Sequence, residues 1–419
     1  MKKVRVGVLG AHRGMTMIQY CRQAENAELV AVCDKAPYEL EKVRRVAGDL
    51  DIAYYVDFED FIKHDMDAVV LANYANQHAP FAVRCLNAGL HVFSEVLPVQ
   101  TMKEAVELVE AVEASGRIYA YGENYCYMAA PREMRRLYRE GKIGELEYAE
   151  GEYVHNCEPI WPEITYGEPD HWRNNMFSTF YCTHSLGPIV HISGLRPVSV
   201  IGIESVKNER RLRSGARSAN LGIELVKMEN GAIVKSIHGW LYKNNVWYTV
   251  SGDKGRMESA RSDAGMNGAD RIFINADACG DGSAPDRVET YLPAERDKDK
   301  TEGYGHGGSD FYSMYFFIER ILGDETADTI DVYEALDMAL PGLFAYRSIL
   351  ENSRELAIPD LRNKSERERW RNDTACCDPG VAGDQLLPTM KGGTPDIPMS
   401  VYDRAREKWE KILAERDSK

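Results

Sequence analysis

The 419-residue chain lacks any run of about 18 apolar residues, which excludes a bilayer-spanning helix. The opening Met1-Lys-Lys-Val-Arg-Val-Gly-Val-Leu-Gly10 lacks a signal-peptide cleavage pattern, so the expectation is a cytoplasmic protein. Cysteine is sparse and unpatterned. The nine cysteines form no Cys-x-x-Cys pair and are odd in number, which argues against a disulfide framework or a zinc ribbon. The adjacent Cys376 and Cys377 invite a redox-switch reading, but two unpaired thiols in a polar tail explain them as well. Positive charge is also short. Lys and Arg number 51 against 66 Asp and Glu, and the net charge of −15 repels phosphate backbones, which excludes nucleic acid as the natural partner. No internal repeat is present. What remains is 44% hydrophobic and 28% charged, the balance of an ordinary globular enzyme with room for two or three domains.

Val4, Val6, Val8 and Leu9 form a β-branched run ending at Gly10, a helix is predicted from about Gly14 to Ala24, and a second apolar run, Leu29 to Cys33, closes on Asp34. That is a strand-turn-helix-strand unit. An acid a little over 20 residues after the turn glycine is where a dinucleotide fold places the carboxylate that binds the ribose hydroxyls, so Asp34 favours NAD over NADP. In the turn itself, Gly10-Ala-His12-Arg13-Gly14-Met15, a G-x-G-x-x-G template finds His12 and Met15 in place of glycines. Gly14 is expected to admit the pyrophosphate and Arg13 to add positive charge at the helix start. The alternation continues through strand Ala68 to Leu71, helix 78 to 88, strand His91 to Ser94, helix Lys103 to Ala114 and strand Arg117 to Tyr121. Right-handed crossovers then give a parallel, doubly wound sheet over residues 1–125.

These residues resemble the Gfo/Idh/MocA superfamily of sugar-handling proteins, over roughly residues 3 to 355. Ala72-Asn73-Tyr-Ala-Asn-Gln-His78 looks like that family's loop after the fourth strand, and Ser94-Glu95-Val96-Leu97-Pro98 falls where ordinary dehydrogenases carry Glu-Lys-Pro. The lysine that assists proton transfer there is absent. A Glu-Val-Pro-like version is associated with the glycoside hydrolase family 109 branch. Tyr121-Gly-Glu123-Asn124-Tyr125 resembles the branch's Glu-Asn segment. Tyr181-Cys182-Thr183-His184-Ser185-Leu186-Gly187-Pro188 resembles its Tyr-Pro-Thr-His-Gly-Leu-Gly-Pro signature, with Cys182 and Ser185 as departures. Tyr304-Gly305-His306-Gly307-Gly308-Ser309-Asp310-Phe311 and Asp331-Val-Tyr333 resemble two further segments.

The resemblance implies an α/β protein: an N-terminal Rossmann domain and, over residues 126–360, a second α/β domain built on an open, mostly antiparallel sheet that binds substrate and mediates oligomerisation. Residues 361–419 are expected to be an extension packing on the body or on a neighbouring subunit. Strands are predicted at Leu146 to Val154, Val198 to Ile203, Gly222 to Met228, Ala232 to Leu241 and Val246 to Ser251, with a hairpin turn at Asn230-Gly231. Helices are predicted at about 309–323 and 332–351, the second interrupted near Pro341. The Gly- and charge-rich stretch 259–303 is read as a surface excursion.

By resemblance, NAD is the cofactor, held by Gly10, His12, Arg13, Gly14, Asp34, Asn73, His78, Glu95 and Asn124. His184, Tyr153, Glu123 and Tyr181 are the catalytic candidates, and Trp172, Arg173, Tyr304 and His306 the substrate-binding ones. Trp161 and Tyr166 are further stacking candidates. No metal is expected, since His155, Cys157, His171 and His184 fit no metal-ligand spacing. The implied activity is cleavage of a glycosidic bond by transient C3 oxidation, C2 deprotonation and elimination, water addition and re-reduction, on a small glycoside such as an α-N-acetylgalactosaminide, by a homodimer or homotetramer. An NAD(P)-dependent sugar dehydrogenase releasing its reduced cofactor, and a non-catalytic sugar- or nucleotide-binding member, are the alternatives.

Overall fold

The apolar runs of the first third become six parallel strands: β1 (Val4–Leu9), β2 (Ala27–Cys33), β3 (Ala53–Tyr55), β4 (Ala68–Leu71), β5 (His91–Ser94) and β6 (Tyr119–Tyr121), in the order β3-β2-β1-β4-β5-β6. Strands in such a sheet are covered on both faces and read as continuous hydrophobic stretches, as the buried Val4, Val6, Val8 and Leu9 do. Helices α1 (Ala11–Gln23), α2 (Pro37–Ala47), α3 (Phe58–Phe61), α4 (His78–Asn87) and α5 (Met102–Ser115) lie between them, the last opened by a Thr101/Glu104 capping box. This is the doubly wound order, whose ligand crevice lies where β1 and β4 diverge. The computed structural model describes residues 3–48, 50–261, 271–277, 282–283, 286–294 and 298–417.

The next elements are α6 (Ala129–Arg139), β7 (Leu146–Val154), α7 (Trp161–Thr165), α8 (Trp172–Asn175), α9 (Thr183–Ser193), β8 (Pro197–Glu204), α10 (Glu209–Ser214), β9 (Leu221–Met228), β10 (Ile233–Gly239), β11 (Asn245–Gly252) and β12 (Gly255–Glu258). After them come β13 (Ile272–Asp277), β14 (Asp286–Tyr291), α11 (Lys298–Thr301), α12 (Ser309–Ile321), α13 (Val332–Leu350), β15 (Leu356–Ala357), α14 (Lys364–Trp370), α15 (Pro379–Ala382) and α16 (Met399–Asp417). Nine of these strands form a second sheet, β14-β13-β12-β11-β7-β10-β9-β8-β15, in which only β7 and β10 pair in parallel. The fold is α/β, with a Rossmann sheet and a mixed, mostly antiparallel one.

The chain does not divide at a single point near residue 125. One compact unit combines Met1–Arg136, Leu292–Asp337 and Leu361–Asn372, and the other combines Leu137–Tyr291, Met338–Asp360 and Asp373–Lys419. In the first, Met314, Phe317 and Ile318 of α12 join Met17, Ile18 and Tyr20 of α1 in one hydrophobic core, which places α12 with the nucleotide fold. On the same unit, Arg367 and Arg371 form ion pairs with Glu113 and Glu110 of α5 at 2.5 and 2.7 Å. In the second, Ile397, Val401 and Tyr402 cluster with Leu212, and Trp409 packs on Tyr166, so this part of the extension packs on its own chain.

Two local expectations are corrected. Helix α13 runs unbroken through Pro341, because the missing N–H removes one bond from a helix buried along Leu340, Leu343, Phe344 and Tyr346. The 259–303 excursion contains β13 and β14, with Ile272 and Ile274 buried and Ile274 paired opposite Met257, while 262–270, 278–281, 284–285 and 295–297, including Cys279, lie outside the described residues. Among the described residues no helix is long and apolar enough to cross a membrane.

Candidate active site

The first cluster forms at the carboxyl ends of β1 and β4. Gly10 has a φ of +92°, and a Cβ there would stand 2.4–2.5 Å from the backbone of Ala72 and Asn73. Only glycine permits that approach. A Cβ on Gly14 would meet Val8 Cγ1 at 2.6 Å, so this glycine lets α1 pack on β1. The Asp34 carboxylate accepts hydrogen bonds from the backbone N–H groups of Ala11 at 2.7 Å and Ala36 at 2.8 Å. These fix it beside the turn, and burial raises its pKa. Among the described residues, the buried amide of Asn73 finds no hydrogen-bond partner for its oxygen or its nitrogen, and Asn124 Oδ1 finds none. A glycine cradle, a fixed carboxylate and orphaned buried amides fit a dinucleotide with ribose and amide groups to satisfy them.

Arg13 departs from its expected role. Its guanidinium makes bidentate contacts with Asp310 at 2.9 Å and lies 2.7 Å from Glu95 Oε1, so two carboxylates balance its charge and it is not a free cation for pyrophosphate. Burial lowers its pKa, but the two acids outweigh that and hold it above the ordinary arginine value. Asp310 also accepts from Asn124 Nδ2 at 3.0 Å and meets His306 Nδ1 at 3.2 Å. Burial would raise its carboxyl, yet His306 and Arg13 hold it well below the usual range. Glu95, fully enclosed, is raised chiefly by burial. Asp310 is the site residue missed in the sequence. It stood in the quoted Gly-His-Gly-Gly-Ser-Asp segment, but nothing in one chain announces a partner 297 positions away.

Three further assignments change. His78 is buried, its Nδ1 3.0 Å from Leu97 O and its Nε2 3.2 Å from Asn73 O, and burial lowers its pKa to about 4. It bolts the loops after β4 and β5 together instead of facing a ligand. Tyr304 packs against Phe311 in the core of the first unit and donates to Gln23 Oε1 at 3.0 Å, and His306 sits against Tyr125 in the Asp310 cluster. Both therefore stand among the nucleotide-side residues. His12 reaches Glu39 at 3.3 Å, beside α2. Glu123 is buried, and its Oε1 accepts from Tyr125 N at 3.3 Å.

The second cluster belongs to the nine-stranded unit. Helix α9 approaches β7 so closely that a Cβ on Gly151 would lie 1.8 Å from Ser185 O. That contact sets His184, the second residue of α9, beside Tyr153 of β7, with ring centroids 4.7 Å apart. Tyr181 lies 5.0 Å from His184 and 6.2 Å from Tyr153, and Trp172 stacks on Tyr181 at 6.3 Å and 16°. The Arg173 guanidinium covers Trp172 at 4.3 Å, and the Tyr153 hydroxyl is 3.1 Å from His155 Nδ1. The structure thus brings together Tyr153, Tyr181, His184, Trp172 and Arg173. Tyrosine and histidine can both exchange protons, and the aromatic faces suit a sugar ring.

The departures in the signature are packing residues. Cys182 is fully buried with its thiol 3.3 Å from Met338 O, and Ser185 Oγ is 2.9 Å from Ser236 Oγ. Trp161 is buried against Trp240, Tyr166 is taken up by Trp409, and Trp172 is itself buried, with Arg173 over its ring and Tyr181 stacked on it. Among the described residues no three His, Cys, Asp or Glu side chains converge to hold a metal.

Known proteins share both halves. Residues 4–123 match the oxidoreductase family with an NAD-binding Rossmann fold, Gfo/Idh/MocA, and residues 286–371 match the glycosyl hydrolase 109 C-terminal domain, which extends the likeness past the expected residue 355. A glycosyl hydrolase family 109 protein of Shewanella baltica is 24% identical over 396 residues, covering 86% of this chain and 85% of that one. The Shewanella amazonensis relative is 30% identical over 202 residues, 45% of this chain and 44% of its own length. Among solved structures, an oxidoreductase from Agrobacterium radiobacter in complex with NAD+, L-tartaric acid and magnesium has a TM-score of 0.69 at 14% identity, covering 85% and 99% of the two chains. An aldose-aldose oxidoreductase from Caulobacter crescentus complexed with glycerol has a TM-score of 0.66 at 21% identity, covering 85% and 100%. These establish the fold. The chain thus matches the Gfo/Idh/MocA NAD-binding Rossmann family over residues 4–123 and the glycosyl hydrolase 109 C-terminal domain over 286–371, and it is similar to family 109 proteins over most of its length.

Proposed function

We propose that the protein is an NAD-dependent glycosidase that keeps and recycles its cofactor. The observation that carries this reading is the chemistry left when the lysine is missing. Val96 replaces it beside a Glu95 already committed to Arg13, and the proton-transferring groups gather instead as Tyr153, Tyr181 and His184. Bound NAD would supply a reversible hydride acceptor for a sugar C3 hydroxyl. The fixed Asp34 carboxylate would accept the ribose hydroxyls and repel a 2'-phosphate, which favours NAD over NADP.

His184 takes the C3 hydroxyl proton, Tyr153 takes the C2 proton, acidified once C3 is a ketone, and Glu123 and Tyr181 orient the ring. Trp172 backs the cluster and holds the Arg173 guanidinium over its ring as a cation for a sugar hydroxyl. An α-N-acetylgalactosaminide is the first glycoside to test, and a cytoplasmic homodimer or homotetramer is the working form.

Mass spectrometry of the denatured, purified protein for bound nucleotide, followed by cleavage of an aryl α-N-acetylgalactosaminide without added cofactor, tests the reading. Co-purified NAD and released phenol with flat absorbance at 340 nm are expected. Absorbance rising in step with substrate would reassign the protein to the releasing dehydrogenases, and failure to bind any nucleotide would make it a non-catalytic member.

A further inference from the structure

A cavity of about 640 Å3 opens in the nine-stranded unit and contains none of the acid/base candidates. Lys243, Lys408 and Lys411 line it together with Asn156, Glu158 and Tyr242. All three lysines are exposed, and none forms an ion pair among the described residues. The one carboxylate in the wall, Glu158, is already held by Arg210 at 3.0 Å and by Arg213 at 2.6 Å, so it does not neutralise them. On a chain of net charge −15, three ammonium groups without an ion-pair partner among the described residues gather around one concavity. Tyr242 is 72% exposed, and the Lys243 ammonium lies 5.3 Å from its ring. Arg210 lies 5.8 Å from the same ring, and an exposed aromatic ring beside cations suits a sugar ring that bears an anionic substituent.

The wall is also continuous with the second cluster along the chain. Asn156 follows His155, whose Nδ1 meets the Tyr153 hydroxyl, and its backbone N–H is fixed by Asn244 Oδ1 at 2.7 Å. We infer that this cavity binds an acidic oligosaccharide, with sulfate or carboxylate groups on Lys243, Lys408 and Lys411 and a sugar face on Tyr242, as the distal portion of the glycoside substrate. The word substrate here rests on the function proposed above; the binding itself does not.

The test is calorimetric titration of the full chain with a chondroitin sulfate tetrasaccharide and, separately, with neutral tetraacetylchitotetraose, at two salt concentrations. The sulfated probe should bind more tightly, lose affinity as salt rises, and weaken at least tenfold in the Lys408→Ala/Lys411→Ala double variant. Tyr242→Ala should weaken it by a smaller factor without altering the salt dependence. Because these side chains are exposed, melting temperatures should match the parent, and cleavage of a small aryl glycoside should be unchanged. Equal binding of the neutral probe, undiminished binding by the double variant, or equal affinity for a short DNA duplex, which would reveal charge alone, would each overturn the inference. A binding readout keeps this separate from catalysis: His184→Ala should still bind the tetrasaccharide, whereas a failed glycosidase assay leaves the titration interpretable.

Discussion

Replacing Asp310 with asparagine would remove the bidentate partner of Arg13 and leave its guanidinium on Glu95 alone. Breaking one arm of such a cluster typically costs about 2–4 kcal/mol, and the nucleotide turn should loosen with it. Bound dinucleotide surviving gel filtration should fall severalfold, together with the melting temperature; an unchanged nucleotide content would show that the cluster is only structural. Glu224 tests the interior of the other unit. It is buried, stands opposite Ser236 across the β9–β10 ladder, and burial pushes its pKa up to about 8. The folded chain keeps a proton there that the unfolded chain releases near pH 4.5, so this group costs stability as pH rises from about 4.5 to 8. Glu224→Gln should flatten that decline, and parallel melting curves for variant and parent between pH 5 and pH 9 would refute it. At this scale the sequence was partly legible. Asp34 was marked by its spacing from the turn glycine, and Tyr153 and His184, singled out by resemblance, come together in the fold, whereas the burial of His78 and Tyr304 has no single-residue signature.

Among the elements, α9 on β7 sets the sugar-side cluster, and Gly151 sets α9. Gly151→Ala would drive a methyl into Ser185 O, so we expect a loss of about 3 kcal/mol or more and a shift of His184 away from Tyr153. Turnover should fall far more than nucleotide content, and equal losses of both would mean global unfolding instead. The parallel strands and the Glu229-Asn230-Gly231 hairpin were readable because two-sided burial writes continuous apolar runs and a three-residue turn ending in a positive φ calls for glycine there. Strand β14 was not. Its Asp-Arg-Val-Glu-Thr-Tyr lies exposed at the sheet edge, so no hydrophobic alternation marks it, and its pairing with β13 comes from backbone hydrogen bonds that any sequence can make.

For the whole molecule, elimination predicts weak dependence of rate on leaving-group acidity and a deuterium effect at C2 or C3 of the sugar, whereas displacement by a carboxylate pair predicts steep dependence and no such effect. The two segments that match known families are each continuous in sequence, whereas each compact unit is stitched from three separate stretches. The nucleotide-binding unit draws on three stretches, the last ending at Asn372. During synthesis, the first 136 residues leave the ribosome with α1 uncovered and Arg13 without Asp310, and they stay so until residue 321 or later has been made. A nascent Rossmann body of this kind should remain protease-sensitive and retain nucleotide poorly until α12 and the stretch ending at Asn372 have emerged, so we expect cofactor capture to follow the synthesis of the other unit's strands instead of preceding it.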